Sequence, residues 1–298
     1  VNEYKESVHD ELRTIHHRTI ERLERRDINL AEITAAVADV TGQSAYPLSR
    51  IVTASDANSL PDYSDAARAG FFKKAMHFGD GQAFGQFEYI MHFVRFRGEY
   101  LNRAPKLSVI DTIAHELGHA ALAKVTYGHI DRSPDTVVYH WFGASWRYDD
   151  EYYGEVLDEA SAAKVAAESR RQLGLTTNDH DTLHPLLAPY KEKHGYSYAT
   201  IGAVALDVLG VAAGHRDSVG IYRQLWDYMA SAQDDAARID LADSVQRATK
   251  GALSLEDFEA QAFTTRGVSL DFLEKVEEAC DMDVVTRPSS AFSNERIF

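Results

Sequence analysis

The pentapeptide His115-Glu116-Leu117-Gly118-His119 constrains this chain more than any other feature. Residues four apart share a face of an α-helix, so the two imidazoles reach one point in space only if the segment is helical. The flanking residues predict that helix from Leu107 to about Val125. Ser108 with Asp111 makes a capping-box-like start, Asp standing in for the usual Glu or Gln. Ile110, Ile113, Leu117 and Ala121 supply the buried stripe, and Gly128 lies just beyond the end. The histidines fall on the polar side of that stripe. This composition gives roughly 0.04 chance matches to such a motif, and a chance match has no reason to sit in phase with the stripe.

Two convergent imidazoles suit a divalent ion, and zinc accepts N and O ligands in a tetrahedral site. Zinc also brings the pKa of a water towards neutrality. Glu116 is then placed to take a proton from that water and pass it to a leaving amine. The third ligand is not cysteine: Cys280 is the only one in the chain, which also rules out an intramolecular disulfide. In the metzincin pattern, Gly and His follow the second His at +3 and +6. Leu122 and Val125 occupy those positions here. The remaining option is a glutamate from a second helix. The Ala-rich segment from Glu155 to about Arg171 predicts one, with Glu155 and Glu159 on one face. His129 and His140 are the other candidates.

Around these two helices the chain divides into three expected segments: 1–42 helical, 43–172 carrying the chemistry, and 173–298 helical again. Val8, Leu12, Ile15, Thr19 and Leu23 space a helix over residues 2 to about 26. Asn29 opens a second helix that ends near Gly42. His16 and His17 read as solvated. Residues 43 to 70 read as loop with short elements. Phe87 to Tyr100 is rich in β-formers and reads as one strand, or as a hairpin bent at Gly85 or Gly98. Residues 126 to 153 read as an aromatic-rich connection. From Tyr196 the chain reads as helical to about Cys280, with breaks near Gly214, Gly251 and Gly267.

His115-Glu116-Leu117-Gly118-His119 followed by Leu157-Asp158-Glu159-Ala160 resembles the gluzincin peptidases, of the thermolysin-like and aminopeptidase-like zincins. The resemblance covers residues 87 to 171 and, more weakly, 196 to 265. It implies an α+β, predominantly helical fold. A zincin-like catalytic domain would have a small β-sheet beside the active-site helix, followed by a C-terminal helical subdomain. It implies Zn²⁺ held by His115, His119 and Glu159, with Glu155 the second choice and otherwise a rim carboxylate. It implies that the 87–100 strand offers an edge to an extended peptide. It also implies that a tyrosine near the start of the C-terminal helices, Tyr198 or Tyr196, donates to the oxyanion. His184, His194 and His215 are lesser choices for that task. Asp158 is a partner to orient a histidine, and Asp111 a weaker one.

The implied activity is a zinc metallopeptidase acting on a peptide or protein. The aminopeptidase signature Gly-x-Met-Glu-Asn is absent, which favours an endopeptidase. An aminopeptidase-type exopeptidase and a catalytically silent zincin-like binding or regulatory protein are the alternatives. The formal charge of 31 − 46 = −15 disfavours nucleic acid as a partner. No apolar run approaches the length of a membrane span: Ile201 to Ala213, the longest, is interrupted by Gly202, Asp207 and Gly210. The expectation is a soluble protein of unassigned compartment and oligomeric state. The lone cysteine tilts it slightly towards the cytoplasm.

Overall fold

The structure, a computed structural model, describes residues 13, 15–53, 85–88, 93–123, 127–129, 138–142, 145–148, 151–153, 155–175, 198–217, 219–230, 235–255, 257–258 and 270–281. These are mostly helical with small sheets, which is the α+β, predominantly helical class expected. They form two compact units: Val1–Ala121 with Val165–Leu175, and Leu122–Lys164 with Thr176–Phe298.

In the first unit, helix α1 covers residues 15–24 and buries Ile15, Thr19 and Leu23, as their spacing predicts. Val8 and Leu12 of the same stripe lie outside the described residues. Helix α2 (Leu30–Thr41) starts where Asn29 accepts hydrogen bonds from the Ala31 and Glu32 amides. It stops at Gly42, whose φ of 68° is a left-handed conformation that glycine adopts at little cost. His16 is not merely solvated. Its Nδ1 meets the Ile51 carbonyl at 2.8 Å, and Thr19 meets Thr53 at 2.9 Å, so α1 is fastened to strand β1 (Ile51–Thr53).

Strands β2 (Gly85–Glu88) and β3 (Phe93–Phe96) pair antiparallel, with Phe87 opposite Val94, while β1 runs parallel to β3. The order is β1-β3-β2. The segment is thus a hairpin, but neither glycine is its bend: Gly85 begins β2, and Gly98 begins helix α3 (Gly98–Arg103). Val94, Arg95 and Phe96 are all buried, so both faces of β3 are covered.

Helix α4 (Lys106–Leu122) carries the pentapeptide. It begins directly after Pro105, whose carbonyl accepts from the Val109 amide. The capping box does not form. Ser108 is already inside the first turn, its carbonyl accepting from the Tyr100 hydroxyl at 2.9 Å, and Asp111 is engaged by Arg170. Ile110, Ile113 and Leu117 are buried as expected, with Ala120 closing the stripe rather than Ala121. Gly128 does not follow the helix end as a cap; it sits within a strand.

The second unit corrects the reading of 126–153 as a connection. Strands β4 (Tyr127–His129), β5 (Val138–Phe142), β6 (Ser145–Tyr148) and β7 (Glu151–Tyr153) form an antiparallel sheet in that order. In register, Trp141 lies opposite Trp146 and Trp146 opposite Tyr153. Helix α5 (Glu155–Gln172) follows, its first half in this unit and its second half in the other. Helices α6 (Tyr198–Ala212), α7 (Gly220–Ala230), α8 (Asp235–Ala248) and α9 (Leu270–Cys280) complete the unit. Helix α6 packs against the other three and is buried from Gly202 to Gly210. A Cβ on Gly210 would stand 3.0 Å from Ile221, so glycine there lets α6 and α7 approach closely. No helix among the described residues is long and apolar enough to cross a membrane.

Candidate metal centre

Helix α4 is anchored by its apolar stripe, which leaves the face carrying Asp111, His115 and His119 free to hold polar groups. His115 is half-buried and His119 buried. Their Nε2 atoms stand 3.1 Å apart, with the rings 82° from coplanar. Glu159, on the second turn of α5, is half-buried. His115, His119 and Glu159 each offer one ligand atom, and these atoms all lie within 4.8 Å of one another. Among the described residues this is the group of His, Cys, Asp or Glu side chains suited to hold a metal ion.

The fit can be judged from the distances. Two imidazole nitrogens, each about 2.0–2.1 Å from a tetrahedral ion, stand about 3.3 Å apart. The observed 3.1 Å is within a few tenths of that spacing. It is equally within the range of a hydrogen bond from one ring to the other's lone pair. Two neutral nitrogens and one carboxylate make a donor set of the kind that binds zinc with a position left open. The set suits zinc and other divalent ions that accept imidazole.

Glu116, between the two histidines, is 9% exposed. Asp158, next to Glu159, is buried at 4% exposure. The Asp111 carboxylate pairs with Arg170 of α5 at 2.9 Å.

No other expected ligand joins this group among the described residues. Glu155 opens α5, with its side chain outside the described residues. His129 and His140 occupy β4 and β5, opposite Val138 and Tyr127 respectively. Tyr198 is the first residue of α6. Tyr196, His184 and His194 lie outside the described residues. His215 follows α6 and faces Ser244 of α8 at 3.3 Å. Burial, then the Arg247 charge, push its pKa below 6.5, so it sits as a neutral imidazole in a local network with Ser244 and Gln224.

Three charged side chains of α5 that the sequence did not single out form ion pairs, two of them reaching other helices. Arg170 reaches Asp111, Lys164 is buried against Asp207 of α6 at 3.1 Å, and Glu168, 3% exposed, pairs with Arg171. The available signal was charge inside a segment otherwise fit for burial. Lys164 lies among Ala162, Ala163, Ala166 and Ala167, and Asp207 interrupts the longest apolar run.

Comparison with protein-family models, with curated proteins and with solved structures returns no match.

Proposed function

We propose that the chain is a zinc metallopeptidase of the gluzincin type, with His115, His119 and Glu159 as ligands and Glu116 as general base and acid. The convergence of those three side chains within 4.8 Å carries the reading. A zinc ion in this set would supply Lewis acidity and a water of lowered pKa. Glu116 takes the proton from the attacking water and delivers it to the departing nitrogen. The presence of Glu116 supports that role, because a purely structural ion needs no base beside it. Tyr198, or Tyr196 just before it, is the proposed donor to the oxyanion.

Two features favour an internal peptide bond as substrate. Strand β2 is at an edge of its sheet, pairing among the described residues with β3 alone, so its other side can accept extended main chain. The signature by which aminopeptidases read a free amino terminus is absent upstream of α4.

The Glu116→Gln variant tests the reading, with unfolded casein as a general substrate. Cleavage should fall by about 10²–10⁴-fold while zinc is retained. Undiminished cleavage by a zinc-loaded variant would remove Glu116 from the mechanism.

A further inference from the structure

Lys164 is among the most completely buried large side chains, at 2% exposure. Its ammonium stands 3.1 Å from Asp207 Oδ1 and 5.3 Å from the Tyr222 ring centre. Tyr222, itself fully buried, donates its hydroxyl to the Ala203 carbonyl of α6 at 2.8 Å. The cation therefore has a fixed seat: a carboxylate on one side and an immobilised aromatic face nearby.

Such a seat is a poor way to gain stability. Removing both charges from water costs about what their attraction returns, and an apolar pair of similar volume commonly holds as well or better. An ion pair does differ from an apolar contact in being directional. Apolar surfaces tolerate a helix sliding or turning by a fraction of a residue, whereas a hydrogen-bonded ion pair has a narrow optimum.

What the pair joins gives that difference a use. Lys164 lies five residues beyond Glu159, about 140° further round α5, so it grips the helix from a different face. Asp207 lies nine residues beyond Tyr198, the residue that opens α6. The pair thus ties the helix carrying Glu159 to the helix opened by the proposed oxyanion donor.

We propose that Lys164 and Asp207 are positioning residues. They set the height and rotation of the first half of α5, the half that carries Glu159. The inference rests on the reading of His115, His119 and Glu159 as metal ligands.

The test compares zinc affinity with thermal stability in EDTA, on the full chain. The K164M/D207L double variant replaces the pair by apolar side chains of similar volume. It should melt within a few degrees of the wild type, or higher, yet bind zinc at least about tenfold more weakly, the range seen when groups supporting ligands are lost. Equal zinc affinity at equal stability would overturn the proposal. Should the double variant not fold, Asp207→Asn keeps the shape and an oxygen acceptor for Lys164 while removing the charge. A several-fold loss of zinc affinity is expected there, and none would overturn the proposal. Wild-type protein that takes up no zinc, or that keeps it after His119→Ala, overturns the underlying reading and the pair's role with it. That failure appears without any change to Lys164 or Asp207.

Discussion

Helix α4 meets its surroundings through an apolar stripe, whereas α5 buries charge along much of its length. On α4 the fully covered residues are Val109, Ile113, Ala114 and Leu117. On α5, Asp158, Lys164 and Glu168 are buried, and Arg170 reaches out to Asp111. The two helices supply ligand candidates to the same cluster. Helix α5 has an apolar stripe of its own, with Leu157, Ala160, Ala162 and Val165 fully covered, and adds buried charge to it. An apolar stripe gives free energy with little direction. Buried polar pairs give direction with little net free energy. A site that needs two imidazoles from one helix obtains their mutual geometry from the helix itself, since i and i+4 are fixed neighbours. A carboxylate arriving from another helix has no such guarantee. The directional contacts are found on the helix that brings it.

The contrast is open to direct attack. Truncating the stripe should be costly: Ile113→Ala is expected to lower the unfolding free energy by about 2–5 kcal/mol, read by urea denaturation. A cost below about 1 kcal/mol would mean that α4 is not held by that stripe. The accessible charge pair should matter far less to stability. Asp111 is 46% exposed, so Arg170→Met is expected to cost about 1 kcal/mol or less by the same measurement. A loss as large as that of Ile113→Ala would erase the distinction between the two helices.

The smallest effect concerns the far end of α6, the helix that receives Lys164. His215 has a folded pKa below 6.5, chiefly from burial and then from Arg247. The unfolded chain therefore binds a proton more readily than the folded one. The stabilising contribution is present above the ordinary value of 6.5 and is lost as pH falls through the lower, folded value. The urea midpoint should fall on acidification below 6.5, and His215→Asn should flatten part of that slope. An unchanged slope in the variant would show that His215 titrates as if exposed.

The sequence was informative where chemistry and periodicity coincide. His115, Glu116 and His119 were legible because a 3.6-residue period fixes which side chains meet. Glu159 was legible as one of two glutamates a turn apart, and its ligand atom lies within 4.8 Å of those of the histidines, while the Glu155 side chain lies outside the described residues. The sheet of 127–153 was missed although its signals were present. Its strands are three to five residues long, too short for alternation to register. The aromatic runs are nevertheless separated by only two residues, Gly143-Ala144 and Asp149-Asp150, the spacing of hairpins. The capping box at Ser108 failed for a different reason: Pro105 had already set the start of α4, so the residues that would have capped it were free for other partners. Lys164 and Asp207 were illegible as a pair, because 43 positions separate them and each alone reads as a blemish in a helix. Long-range pairing of this kind is settled by packing, which local pattern does not encode.

Zinc binding to the purified full chain, by equilibrium dialysis after chelation, tests the central claim most directly, with His119→Ala and Glu159→Ala alongside. The account predicts one zinc per wild-type chain. It also predicts affinity losses of more than about 100-fold in both variants, beyond what loss of an outer partner brings. Wild-type protein that binds no zinc, or variants that bind it as tightly as the wild type, would contradict it.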